Sequence, residues 1–138
     1  MDPVLELQGV IIQRLRSFAT VTALVGSKSY DQPPLDQNGN VQATTYPYIS
    51  IGPSNFQSED ADCIDGGEVM IQIDAWSIEP GHPQVRNIAD AIRKAFRGYD
   101  ITLAQNALAS FEHWRTDYIA NGTLKQASVR FTAIIEQP

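Results

Sequence analysis

Apolar residues recur along the first part of the chain at helical spacing, with Val4, Leu7, Ile11, Leu15 and Phe18 on one face. Asp2 as an N-cap and Pro3 at the first helical position set the start, so the pattern predicts a helix over 3–18. Gly9 lies inside it and costs about 1 kcal/mol relative to Ala; either a neighbour approaches closely there or the helix is locally weak. Residues 20–25 add a short turn of helix stopped by Gly26. Pro33, Pro34, Asn38, Gly39 and Asn40 then make 31–46 a long exposed loop with a turn at its tip. Beyond it the pattern changes to alternation. Strands are predicted over 46–52, where Ile49 and Ile51 share a side, and over 68–77, where Val69, Ile71, Ile73 and Ala75 alternate with Met70, Gln72, Asp74 and Trp76. A loop over 54–67 joins them, and Gly66-Gly67 is its tight approach to the second strand. Pro83 opens a second helix whose stripe of Val85, Ile88, Ala89, Ile92 and Phe96 runs to Gly98.

Asn121-Gly122 is the strongest hairpin signal, because both central residues of a type I′ turn need positive φ. A two-residue turn there pairs Trp114 with Val129 and Leu108 with Ile135, and sets Leu108, Trp114, Val129, Phe131, Ala133 and Ile135 on one sheet face. Glu112 opposite Phe131 is the misfit, which a bulge or a shifted strand start would remove, and His113 falls opposite Arg130. The elements together predict an α+β fold: a mainly antiparallel sheet of about four strands packed by two helices and closed by a C-terminal β-hairpin. Residues 1–138 are read as one domain, since 43% hydrophobic residues suffice for a core of that size.

No stretch approaches the roughly 20 apolar residues of a membrane span, and no leader pattern opens the chain, so a soluble, unsecreted protein without a membrane partner is expected. Cys63 is the only cysteine and the two histidines lie far from it, leaving neither an internal disulfide nor a zinc set. Charge changes the picture more. The net charge is −6, from 10 basic and 16 acidic residues, and no Lys or Arg stands between Lys28 and Arg86. That interval carries Asp31, Asp36, Glu59, Asp60, Asp62, Asp65, Glu68, Asp74 and Glu79, and the second helix follows with Arg86, Arg93, Lys94 and Arg97. Tight nucleic-acid binding is disfavoured, because it rests on neutralising phosphates. The segregation suits contact between unlike surfaces of two copies or two proteins, or else is an uneven solvated surface.

Candidate chemistry is sparse. Glu59, Asp60, Asp62 and Asp65 suggest a calcium loop, but counting from Asp60 puts Ile71 at the twelfth position, where a glutamate is needed. No G-x-S-x-G elbow and no phosphate-cradling glycine loop occur, and acids beside Cys63 push a thiol toward its unreactive protonated form. Neither a metal nor an organic cofactor is expected. Trp76 faces away from Val69, Ile71 and Ile73, either as a second-layer core residue or as an interface anchor.

Several strings, in order, carry a resemblance: Leu24-Val25-Gly26 with Tyr30-Asp31, Tyr46-Pro47-Tyr48-Ile49-Ser50-Ile51-Gly52, Asp62-Cys63-Ile64-Asp65-Gly66-Gly67-Glu68, Asp74-Ala75-Trp76-Ser77, and Ile88-Ala89-Asp90-Ala91-Ile92. The chain resembles the tail-terminator (tail-completion, head–tail joining) family of long-tailed phages and gene-transfer-agent particles. The resemblance implies a structural, non-enzymatic virion protein, assembled in the bacterial cytoplasm and placed at the head–tail junction. It further implies a ring of six copies seated on the tail-tube protein and docked to the head–tail connector protein, with DNA passing through unbound. Glu59, Asp60, Asp62, Asp65, Trp76, Arg93, Lys94 and Arg97 are then the candidates for subunit interface or channel wall, the acids for channel or tube in preference to a subunit contact. The competing readings are a monomeric module whose acidic loop captures a basic partner, and a small hydrolase of unrecognised site.

Overall fold

Asp2 starts the first helix, α1 (Pro3–Ser17): its carboxylate accepts from the backbone N–H groups of Val4 at 2.8 Å and Leu5 at 3.0 Å. Pro3 occupies the first turn, where the missing N–H has no partner to lose. The structure is a computed structural model that describes residues 1–58 and 65–137. Leu7, Ile11 and Leu15 of α1 are fully buried, as their spacing requires, while Phe18 is an extended residue joining α1 to the short α2 (Ala19–Val25) and is half-buried against the core. Nothing lies within 4 Å of a Cβ built at Gly9, so no close neighbour requires glycine there.

The remaining elements are β1 (Ser29–Tyr30), a 3-10 turn (Ala43–Thr45), β2 (Tyr48–Ser58), β3 (Asp65–Ser77), α3 (Pro83–Phe96), β4 (Ala107–Asn121) and β5 (Leu124–Gln137). They form one five-stranded sheet in the order β1-β2-β3-β5-β4, antiparallel except for β1 beside β2. The expected four strands and two helices thus become five and three among the described residues. Strand β1 is only two residues long and shows no alternation to read.

A larger correction concerns the hairpin β2–β3. Residues 54–58 and 65–67, expected in a loop, are paired strand. Ser54, Asn55 and Gln57 stand on an exposed arm where no core demands apolar alternation, so backbone pairing forms it without a side-chain signature. Gly67 lies inside the strand, where a Cβ would collide with the Gln57 carbonyl oxygen.

In the β4–β5 hairpin the turn falls on Gly122-Thr123, with Gly122 at φ 64°, one residue later than expected, and Asn121 pairs with Leu124. Two bulges in β4, at Ala109 and Trp114, then restore the expected Leu108–Ile135 pair. Trp114 is the extra residue of its bulge. It does not face Val129, which pairs with Thr116, and it is exposed on the opposite side of the sheet from the core. His113 pairs with Phe131 and not with Arg130, and Glu112 pairs with Thr132, which removes the misfit.

All three helices cover one face of the sheet. Ile49 of β2, Val69, Ile71, Ile73 and Ala75 of β3, and Ala127, Val129, Phe131, Ala133 and Ile135 of β5 meet Leu7, Ile11, Leu15, Val21, Val85, Ile88, Ile92 and Phe96 there. Each large side chain buried in this layer contributes about 1.5–3 kcal/mol relative to exposure. Phe96, Phe111 and Phe131 form the aromatic centre, with ring centroids 4.8–5.4 Å apart. Glu6 ties α1 to the segment before β4: its carboxylate accepts from the backbone N–H groups of Ala104, Gln105 and Asn106 at 2.8–3.0 Å and from the Asn106 amide at 3.0 Å. Burial pushes the Glu6 pKa up, but the hydrogen bonds from Gln105, Asn106 and Ala104 outweigh it and hold the carboxyl below its ordinary value.

Candidate assembly surfaces

The face of the sheet without helices is polar, and its centre is buried. Alternation along β3 and β5 sends Gln72, Asp74, Trp76, Gln126, Ser128 and Arg130 to this side, and Gln72, Asp74 and Ser128 are buried there by their neighbours alone. Asp74 Oδ1 accepts from Gln72 Nε2 at 2.8 Å, Gln126 Nε2 at 3.0 Å and Ser128 Oγ at 3.1 Å. Its Oδ2 lies against Gly52, where any side chain would displace it. Gln72 Oε1 in turn accepts from Arg130 Nε at 3.0 Å, and Arg130 Nη1 reaches Asp117 Oδ2 at 3.1 Å. Arg115 closes the chain on Asp117 from β4. A buried carboxylate is tolerated only with such donors, and this network fixes the side chains of three neighbouring strands.

At one end of that face stands an aromatic group. Trp76, half-buried, donates its indole N–H to Ser50 Oγ at 2.9 Å and stacks on Tyr48 at 6.2 Å. Tyr46 and Tyr30 pack on the other sides of Tyr48. Burial, then the nearby Tyr46 and Asp74, pushes the Tyr48 hydroxyl pKa well above its ordinary value, so it stays a neutral phenol. At the opposite end exposed Trp114 and Met70 stand among the polar side chains of Thr132, Asn55, Gln57 and Glu68.

Of the residues singled out from the charge pattern, Glu59, Asp60 and Asp62 lie outside the described residues. Asp65 is exposed at the start of β3. Arg93 and Lys94 sit on the solvent side of α3 and both pair with Asp90, at 3.0 and 2.7 Å. Those two hydrogen bonds outweigh a small burial effect and hold the Asp90 carboxyl below its ordinary pKa. Arg97 ends the helix, exposed, and shares with Arg93 a groove lined by Phe96, Glu112 and His113. Burial, and then the charge of Arg93, lowers the His113 pKa and favours the neutral ring, whose Nε2 lies 2.8 Å from Thr116 Oγ1. Trp76 is remote from this basic groove, on the other side of the sheet, so the candidates divide between two surfaces. Arg86 is held apart by stacking on Tyr118 at 4.4 Å.

The sequence reading missed the Asp74 network. Alternation already set Gln72 and Asp74 on the face away from the core, but their burial depends on Gln126, Ser128 and Arg130 two elements later. Among the described residues, no three His, Cys, Asp or Glu side chains gather closely enough to hold a metal ion, and no helix is long and apolar enough to cross a membrane.

Comparison with known proteins finds a matching family model and matching solved structures. The family model described as tail completion protein gp17 matches residues 9–136. A chain in the virion of a native gene transfer agent particle has the same fold, with a TM-score of 0.86, 23% sequence identity and 98% of each chain covered. No curated protein sequence matches.

Proposed function

The chain belongs to the tail completion protein gp17 family of phage tail structural proteins, and on that premise we propose that it forms the ring that ends the tail tube and joins the tail to the head connector. The observation that carries the reading is the family match over residues 9–136, nearly the whole chain, so the fold as a unit and not a grafted segment is what the family shares. The open sheet face, with half-buried Trp76 at one end and exposed Trp114 at the other, supports it: exposed aromatics in an ordered polar setting are suited to protein contact.

In this reading the protein has no catalytic role, forms a hexamer, and acts as a single domain over 1–138. Six copies sit on the last tube ring, and their upper surface receives the connector. Glu59, Asp60, Asp62 and Asp65 face the channel or the tube, because a carboxylate-rich segment is costly to bury against a neighbour without close cationic partners. A channel of that sign repels the phosphates of passing DNA. Arg93 and Lys94, already paired with Asp90, are less available than Arg97 for contacts between copies.

Inactivation of the gene in the producing phage or particle tests the proposal. Electron microscopy is expected to show filled heads without tails and separate tails of abnormal length, and added purified protein is expected to restore joining. Normal joined particles from the inactivated strain would refute it.

A further inference from the structure

The sheet has two open edges, and they differ. On one side β4 runs 15 residues with no strand beyond it among the described residues. On the other, β1 covers β2 only at Ile49 and Ser50, so 51–58 of β2 have no strand outside them among the described residues, with the start of α1 beside 54–56 across a groove. We propose that the β4 edge of one copy pairs with the outer edge of β2, at 54–58, in the next copy, joining the sheets of the ring into one continuous sheet. The inference rests on the ring reading above and names the surfaces that close it.

Strand direction is the first argument. The strands β2, β3, β5 and β4 alternate, so β4 runs antiparallel to β2 of its own copy. A cyclic ring beyond the dimer repeats one heterologous contact, with every copy in the same orientation. Rotation of one copy into the next therefore brings β4 beside β2 as an antiparallel pair, continuing the alternation without interruption. An odd number of strands in that run would have forced a parallel join.

Side chains give the second argument. Trp114, Tyr118 and Ile119 of β4 and Phe56 of β2 are exposed large apolar residues, and they sit on the two edge strands. An unprotected edge that also carries apolar side chains is a template for another strand. The 54–58 edge has no charge to repel one: it reads Ser54, Asn55, Phe56, Gln57, Ser58, bounded below by Pro53, which has no N–H to offer.

Position is the third. Following the pairs across the sheet, Ser54 lies level with Ile71, Phe131 and His113, and Phe56 with Val69, Ala133 and Phe111. An unstaggered join sets 54–58 against 108–113 of the neighbour, and Phe56 then meets the helix-covered side that holds Phe111. Tilt in a closed sheet moves the meeting point along β4, which is long enough to accept it.

Disulfide trapping in assembled tails tests the join. In a Cys63→Ser background, Asn55→Cys or Gln57→Cys is combined with single cysteines along the same face of β4, at Ser110, Glu112, Asp117 and Ile119. Directly opposed residues of antiparallel strands stand about 4.5–5.5 Å apart at Cα, within disulfide reach. Mild oxidation is expected to give, for one such pair, a ladder of linked subunits up to the closed ring. Hydrogen exchange on the unmodified protein is expected to show the amides of 54–58 and of β4 slowing at least tenfold on assembly. Dimers that form from β4 cysteines alone would establish a two-fold β4–β4 contact and overturn the proposal. Rings visible by electron microscopy, with no ladder and no slowing at either edge, would overturn it while leaving the ring reading intact. Absence of rings on the tails would remove both.

Discussion

Replacing Asp74 by Ala removes the acceptor at the centre of the open sheet face. Three donors converge on its Oδ1, but they do not all become orphans: the Nε2 groups of Gln72 and Gln126 also lie 3.2 and 3.3 Å from Ser128 Oγ and keep that partner. The Ser128 hydroxyl hydrogen and the better of each amide's bonds are lost. Net hydrogen bonds to a charged acceptor are worth about 1.5–3 kcal/mol each, and the two most buried donors here, Gln72 and Ser128, are the ones without access to water. The expected cost is about 3 kcal/mol, a large part of the roughly 5–15 kcal/mol that stabilises a domain. Asp74→Asn keeps an acceptor oxygen toward the three donors and is expected to cost about 1 kcal/mol. Asp117→Ala, at the partly exposed end of the same chain of contacts, is expected to cost less than about 1 kcal/mol. Urea unfolding followed by tryptophan fluorescence reads all three. If Asp74→Ala costs no more than Asp117→Ala, water supports the network and the face is not dry.

Phe131→Ala, at the aromatic centre beside Phe96 and Phe111, is expected to cost about 3–5 kcal/mol in the same experiment, and a cost below 1 kcal/mol would mean that the core collapses around the gap. Two glycines separate by context: Gly9→Ala is expected to stabilise α1 by about 1 kcal/mol, since nothing crowds it, whereas Gly67→Ala is expected to lower the melting temperature because its Cβ meets backbone. Glu6 has a depressed pKa in the folded state, so its contribution is present above the unfolded carboxyl value near pH 4.3 and is lost as pH falls through the folded value. Glu6→Gln is accordingly expected to flatten the acid limb of the stability curve below about pH 5; an unchanged slope would show that other carboxylates control it. Trp76→Ala is expected to reduce soluble yield or assembly far more than Asn38→Ala at the exposed loop tip, and equal tolerance would place Trp76 on free surface.

The parts of the fold legible in the sequence are those where burial is one-sided. Strands β3 and β5 place every second residue in a helix-covered core, which writes alternation into the chain, and the stripes of α1 and α3 record the same demand at helical spacing. Where no core presses, nothing was written. The outer arm of β2 is paired by β3 but, Phe56 apart, is polar on both sides, so it reads as loop, and β1 is too short for any period. In β4 the error came from assuming unbroken alternation: Trp114 continues the apolar series from Leu108 only if no residue is inserted, and two bulges are. The charge segregation located the basic groove, but pairing of Arg93 and Lys94 with Asp90 leaves less free charge there than the sequence count implies. The Asp74 network needed knowledge of which strands are neighbours, which a single strand's pattern does not hold.

The strand order also sets when a subunit becomes usable. Strand β5 is the last element of the chain, yet it lies between β3 and β4. During synthesis the earlier strands emerge first, and at about 5–20 residues per second the 46 residues between Ser77 and Leu124 take about 2–9 s to follow. Throughout that time β3 has a bare inner edge, and β4, once made, has nothing to bind to. A chain stopped before Leu124 therefore does not yield a slightly smaller subunit; it yields one whose sheet was never joined. Truncated copies are therefore expected not to assemble, and the fold itself would then screen for complete translation.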